Sequence, residues 1–221
     1  NMYMNKPTGA PFMMVTVSEE IASALAGRTS KLSSDALAGL NKGKYSAELS
    51  INADKKSIAL ETSNVIGIIE GTDKKDEYVF MTGHHDHLGK RGDVIYYGAD
   101  DDGSGTVGVM QMAEAFAAAA KKGNKPRRTL VFMTVSGEEK GLWGSQYYSD
   151  NPIFPMDKTT VDLNTDMIGR VDTERKTADT LNYIYVIGHD KLSSDLAKIN
   201  EGVNAKYLNM TLDYKYDDRS E

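Results

Sequence analysis

The stretch Glu77-Tyr78-Val79-Phe80-Met81-Thr82-Gly83-His84-His85-Asp86-His87-Leu88-Gly89 decides the fold. Its first six residues are a compact apolar and aromatic run, which predicts a central strand. A loop rich in histidine and aspartate follows at once, at the strand's carboxyl end. Downstream, Gly103–Lys122 sets Val107, Met110, Met112, Ala113 and Phe116 mostly at helical spacing, and predicts the clearest helix of the chain. Lys121–Arg128 (KKGNKPRR) ends that helix, and Thr129–Val135 reads as the next strand. Strand, helix and strand in this order imply a parallel βαβ unit. The expected fold is α/β, with a mixed, mostly parallel sheet flanked by helices.

Working outward, Gly141–Asp150 and Lys191–Asn200 read as helices, and Thr160–Met167 and Leu181–Ile187 as strands. On the other side, Gly71–Asp76 is a polar loop. Ser46–Asn52 and Ser57–Ile69 predict the arms of a long hairpin turning at Ala53–Lys56. Before them, Phe12–Val17 reads as a short buried strand. Ser18 caps a helix with Glu19 and Glu20 in its first turn, and Thr29–Leu40 gives a second short helical pattern. Short helices give way to long strands near residue 44, which divides the chain into domains 1–44 and 45–221.

Composition narrows the chemistry. The 221 residues carry a net charge of -6, with no basic stripe, so nucleic acid is not an expected partner. No apolar run approaches the ~20 residues that span a bilayer. The absence of cysteine excludes thiolate-bound zinc, thiol nucleophiles and disulfides, so any metal must be held by His, Asp and Glu.

Four clusters of such residues lie where strands end: Gly83–Gly89 (GHHDHLG), Gly98–Gly105 (GADDDGSG), Ser136–Gly141 (SGEEKG) and Asn164–Arg170 (NTDMIGR). In open α/β sheets, sites form at the carboxyl ends of strands, so clusters dispersed in sequence can converge in space. Imidazole with carboxylates suits a borderline divalent metal. Within the first cluster, His84 and Asp86 are two apart and face the same way in extended backbone, so one can bind metal while the other orients its ring. The adjacent Glu138 and Glu139 can diverge, one to metal and one to an attacking water. Singly, each cluster has a plainer reading. Asp102 suits a helix N-cap, Glu138-Glu139 a solvated turn, and His189 a loop position. Tyr96-Tyr97, Tyr147-Tyr148 and Trp143 read as packing aromatics, and Met13-Met14 as core. The four clusters together favour a metal site.

GHHDHLG, GADDDGSG, SGEEKGLWGS and NTDMIGR, in that order, resemble the signature of the zinc aminopeptidase family, peptidase family M28, which also contains glutamate carboxypeptidase-like enzymes and glutaminyl cyclases. Glu61–Gly71 (ETSNVIGIIEG) followed by EYVFMTG extends the resemblance, which covers about residues 45–221. Residues 1–44 resemble the end of a protease-associated domain. The resemblance implies a two-zinc exopeptidase acting on peptides, with an extracytoplasmic location. It implies His84, Asp101, Glu139 and Asp166 as metal ligands, with Asp101 bridging both ions. Glu138 is then the general base, and Asp86 orients His84. One ion would have His84, Asp101 and Asp166. Its neighbour would have Asp101 and Glu139 and needs one more histidine, which the family places far beyond Asp166. On that pattern the chain ends before the last ligand. A glutaminyl cyclase-type transferase and a non-catalytic binding relative are the competing readings. The full carboxylate set argues against the first, and the presence of both glutamates argues against the second.

Overall fold

The structure, a computed structural model, describes residues 16–41, 43, 58–177 and 181–217. The chain divides into two units, 1–59 and 60–221. The expected strand at Phe12–Val17 falls mostly outside the described residues, as does the first arm of the expected hairpin.

In the first unit, helix α1 (Glu19–Leu25) starts where expected, with the Ser18 hydroxyl accepting the Ile21 N–H at 3.4 Å. Helix α2 (Ser34–Ala38) is shorter than the pattern over Thr29–Leu40, because Ser33 rather than an earlier residue supplies the cap. The two are tied by Glu19, whose carboxylate accepts the Ser34 N–H at 2.8 Å and hydroxyl at 2.7 Å and pairs with Lys31 at 3.0 Å. The Ser34 hydroxyl first, then Lys31, holds that carboxyl down at about 2.

The second unit is organised by a four-stranded sheet of strands β1 (Val65–Ile69), β2 (Lys74–His84), β5 (Arg128–Val135) and β6 (Thr159–Asn164), in the order β1-β5-β2-β6. β5 and β6 run parallel to the central β2, and β1 runs antiparallel to β5. The crossover from β2 to β5 contains a short hairpin of β3 (Gly89–Arg91) and β4 (Val94–Tyr96) and then helix α3 (Gly103–Lys121). Helix α4 (Trp143–Asp150) follows β5.

The uninterrupted apolar run of β5 is explained by burial on both faces, as a parallel sheet requires. Val131, Met133 and Val135 pack with Phe80 and with Tyr148 of α4 on one face. Leu130 and Phe132 pack with Met81 and with Val109 of α3 on the other. Tyr148 is therefore core, as expected, whereas Tyr147, Tyr97 and Trp143 are exposed.

Two elements differ from expectation for the same reason. Residues 58–64 are not strand, because Thr62 and Asn64 spend their side chains on the turn after β5: Thr62 Oγ1 meets Ser136 Oγ at 2.7 Å, and Asn64 donates to the Gly144 carbonyl at 2.8 Å and accepts the Ser136 N–H at 3.2 Å. β6 stops at Asn164, where Thr165 donates both its N–H (2.8 Å) and its hydroxyl (3.0 Å) to the Thr82 carbonyl and turns the chain out of the sheet.

Beyond β6, strands β7 (Tyr183–Tyr185) and β8 (Thr211–Asp213) pair in parallel around helix α5 (Ser194–Tyr207), a second βαβ unit. α5 outruns the expected Lys191–Asn200, because Ser193 caps its start and the Asn204 side chain brackets Met210 at 2.8 and 3.0 Å past its end. No helix of the described residues is long and apolar enough to cross a membrane.

Candidate metal centre

Every predicted site residue lies at the carboxyl end of β2, β5 or β6, or at the start of α3. β2 ends in His84, which is 3% exposed. β5 runs into a 3-10 turn at Glu138–Lys140, entered through Gly137 in the left-handed region. The chain leaving β6 carries Asp166, and the loop before α3 carries Asp100, Asp101 and Asp102.

These three aspartates do three different things. Asp102 is the frame. It is 1% exposed and accepts N–H groups from His84 (2.9 Å), Gly105 (2.9 Å) and Met167 (3.3 Å), so it caps α3 and clamps the ends of β2 and β6 to it. Burial pushes its carboxyl up, against the pull of those N–H groups. Only glycine fits beside it: a Cβ on Gly105 would stand 2.2 Å from the Thr165 carbonyl and 2.3 Å from Asp102 Oδ1. Asp100 holds the outer loop, accepting the Gly169 N–H and the Arg170 guanidinium, each at 2.8 Å. Asp101, joined to Asp102 by a cis peptide bond, faces the histidines.

His84 Nε2 lies 3.2 Å from Asp101 Oδ1, 3.7 Å from Asp166 Oδ2 and 3.9 Å from Glu138 Oε2. Its other nitrogen, Nδ1, lies 3.0 Å from the backbone carbonyl of Asp86. A carbonyl only accepts, so Nδ1 carries the proton and the neutral ring presents the Nε2 lone pair to three carboxylates. Acceptor against acceptor is unfavourable unless a cation lies between them. Without one, burial opposes protonation of His84, but the Asp86 carbonyl and the carboxylates of Asp102, Asp166 and Glu138 outweigh it and raise its pKa. Burial first, then neighbouring negative charge, also raises Asp166 and Glu138. The expected orienting role of Asp86 is thus divided. Its carbonyl holds the ring, while its carboxylate stands 3.7 Å from Nδ1 and accepts the Glu138 N–H at 3.1 Å.

Glu139 parts from Glu138, as two adjacent glutamates can. Its Oε1 lies 2.6 Å from His87 Nδ1, and that nitrogen is 3.7 Å from Asp101 Oδ1. Both His87 Nδ1 and Glu139 Oε1 are buried atoms without a hydrogen bond. Buried polar atoms of this kind signal a missing partner, and imidazole with carboxylate is the donor set that zinc takes. The residues therefore fit a divalent metal. Two three-residue groups stand here, His84/Asp102/Asp166 and His87/Asp101/Glu139. In the first, Asp102 is occupied by its three N–H donors, and Asp101, 3.2 Å from His84, is the freer carboxylate. Sequence reading singled out every member of the two sets but His87. The signal was its place in the same loop, three residues after His84.

His189 sits in a loop, as expected, stacked on Tyr214 at 4.5 Å and 2.6 Å from Asp217. It takes no part in this cluster.

Residues 64–219 match the model of peptidase family M28, and the chain belongs to that family. Among curated proteins, a probable glutamate carboxypeptidase (LAMP1) of Arabidopsis thaliana is 33% identical over 112 residues, which are 50% of this chain and 15% of that protein. A probable zinc metalloprotease of Leptosphaeria maculans is 31% identical over 134 residues, 58% of this chain and 29% of that one. The chain thus spans less than a third of the length of these relatives. Among solved structures, the LapA aminopeptidase of Legionella pneumophila superposes with a TM-score of 0.50 at 21% identity, over 71% of this chain and 39% of that one, a likeness of fold.

Proposed function

We propose that the protein is a two-zinc exopeptidase, an aminopeptidase that hydrolyses the first peptide bond of peptides with a free N-terminus. The observation that carries this is the position of Asp101 Oδ1, 3.2 Å from one imidazole and 3.7 Å from a second, so that one carboxylate can serve two cations. His84 and Asp166 would hold the first ion with Asp101, and Glu139 the second. When bound, such ions lower the pKa of coordinated water and polarise the scissile carbonyl.

The protein's own residues supply the rest. Glu138 stands beside His84, its carboxyl raised above the ordinary glutamate range by burial and by the carboxylates around it. A raised carboxyl accepts a proton from water more readily than an ordinary one, and can then pass it to the leaving amine. Asp86 fixes this base by taking its backbone N–H, and fixes His84 through its carbonyl. The family relationship and the acidic cluster support this reading over a binding role, because both the base and its metal-facing neighbours are in place.

Glu138→Gln tests it. Hydrolysis of an aminoacyl-p-nitroanilide should fall by roughly 10²–10⁴-fold, with zinc content unchanged. Undiminished turnover would overturn the assignment of Glu138 and with it the peptidase mechanism. The family resemblance also supports an extracytoplasmic location, which cell fractionation would check.

A further inference from the structure

We propose that Asn64, which lies outside the four clusters, is a positioning residue for Glu138 and Glu139: its side-chain amide clasps the neck of the turn that carries both glutamates. This rests on the peptidase reading above, which gives the two glutamates their roles, and adds to it a residue from the segment before β1.

Three observations carry it. First, the turn is a loop closed at a two-residue neck. Ser136 stands on its β5 side and Gly144 on its α4 side, and the Gly144 N–H donates to the Ser136 carbonyl at 2.8 Å. The Ser136 N–H and the Gly144 carbonyl are the other two groups of the neck, and Asn64 takes both. Its Oδ1 accepts the Ser136 N–H at 3.2 Å, and its Nδ2 donates to the Gly144 carbonyl at 2.8 Å. An amide presents an acceptor at one end and a donor at the other, so this pair of partners also fixes which way the side chain faces.

Second, the clasp is close and dry. A Cβ on Gly144 would clash with Asn64 Oδ1 and with the Ser136 carbonyl, so only glycine lets the three residues meet. Ser136 is 6% exposed and Gly144 is buried, and a buried N–H left without its acceptor carries the full cost of its lost water.

Third, the path between the two sides of the neck needs outside support. Gly137, Gly141 and Leu142 all stand in the left-handed region, and Leu142, at φ 61°, has a side chain that disfavours it. Such a backbone persists where its surroundings over-determine it. Asn64 supplies this at the neck, and the Asp86 carboxylate supplies it within the turn by accepting the Glu138 N–H at 3.1 Å. From this turn Glu138 reaches toward His84 and Glu139 toward His87. A reacting group displaced by about 1 Å can cost roughly 10²-fold in rate, so a loosened neck is felt at the base.

The test sets Asn64→Ala against a matched control, Asn204→Ala. Asn204 makes the same kind of clasp beyond α5, where its amide holds the Met210 carbonyl and N–H at 2.8 and 3.0 Å. In the metal-free chain, amide hydrogen exchange over residues 136–144 should quicken by about tenfold or more in Asn64→Ala and stay at the wild-type rate in Asn204→Ala. In the full-length protein at saturating zinc, Asn64→Ala should lower kcat for an aminoacyl-p-nitroanilide by roughly 10–100-fold with KM unchanged. Asn204→Ala should leave both constants as they are. Unchanged exchange in Asn64→Ala overturns the clasp. Quickened exchange with kcat lowered no further than in Asn204→Ala makes Asn64 a structural brace and overturns the positioning role. A wild type without turnover overturns the peptidase reading and the positioning role with it, and exchange then still shows whether the clasp exists. Should Asn64→Ala fail to fold, Asn64→Asp decides. It keeps the acceptor for Ser136 and loses the donor to Gly144, so kcat should again fall with KM unchanged, and a full wild-type kcat overturns the proposal.

Discussion

His84 and His87 stand in one loop against one shared carboxylate, yet the protein supports them in opposite ways. Around His84 every backbone and ring donor is spoken for. Asp102 takes its N–H, the Asp86 carbonyl takes its Nδ1 proton, and Thr106 donates to its carbonyl at 2.6 Å. Around His87 the backbone closes in at Gly98, where a Cβ would stand 2.7 Å from the His87 Cβ, and Nδ1 and the facing Glu139 Oε1, 2.6 Å apart, make no hydrogen bond. The first half of the site is pre-formed by the fold. The second half is assembled from loops, with Glu139 in the turn after β5 and His87 in the loop after β2. The difference teaches where the fold spends its hydrogen bonds: the first half is braced by them, and the second is not.

The largest way to break this comparison is Asp102→Ala. The side chain gathers three N–H groups from three elements in a fully buried spot. Leaving each donor unmet costs ~1–3 kcal/mol, so urea unfolding of the metal-free protein should show a loss of about 3 kcal/mol or more. A loss below ~1 kcal/mol would mean the first half is no better framed than the second. His87→Asn in the same assay should cost the metal-free protein less than Asp102→Ala does, because its Nδ1 makes no hydrogen bond to lose.

Zinc sharpens the contrast from the other side. A ligand that binds only the folded state stabilises it by about 2.7 kcal/mol at 100 times its Kd. Wild type should therefore gain thermal stability in two steps as zinc is added, and a chelator should remove both. Glu139→Gln, at the carboxylate proposed to hold the second ion, should keep the first step and lose the second. A single step in wild type, unchanged in the variant, would place all linkage to folding in the His84 half.

How much of this was legible in the sequence follows the same division. The run EYVFMT and the apolar register of Thr129–Val135 needed only periodicity and composition, because a parallel strand buried on both faces leaves a continuous hydrophobic record. The long helix, its cap at Asp102 and the clusters that gather at the strand ends were legible too, being local or carried by ordered motifs. What the sequence hid is long-range. The hairpin arm before Val65 gave way to side-chain bonds from Thr62 and Asn64 to residues some seventy positions on. That Asp86 acts on His84 through its carbonyl is a matter of one peptide's orientation. His87 was passed over because HHDH offers three histidines, and only the loop's path, which brings Gly98 against its ring, separates half-buried His87 from its exposed neighbour His85.

The smallest effect concerns charge in the metal-free site. The folded carboxyls of Glu138 and Asp166 are raised, by burial first and then by the carboxylates around them, above their ordinary values of 4.5 and 3.8. A carboxyl raised on folding binds more protons in the native state than in the unfolded one, so its contribution to stability falls as pH rises. At a pH below the ordinary carboxyl values the penalty is absent. It grows as pH climbs through the raised values and is complete above them. Glu138→Gln removes one negative charge from the cluster. Metal-free Glu138→Gln should therefore match wild type near pH 3 and be slightly more stable at pH 7, the gap being small because the Glu138 side chain is 34% exposed and solvent screens it. Zinc should close the gap, since the cation removes the repulsion that the substitution relieved. A metal-free variant that loses stability relative to wild type as pH rises would show that Glu138 is held by attraction rather than strained by its neighbours. It would then lose its standing as a base poised by its surroundings.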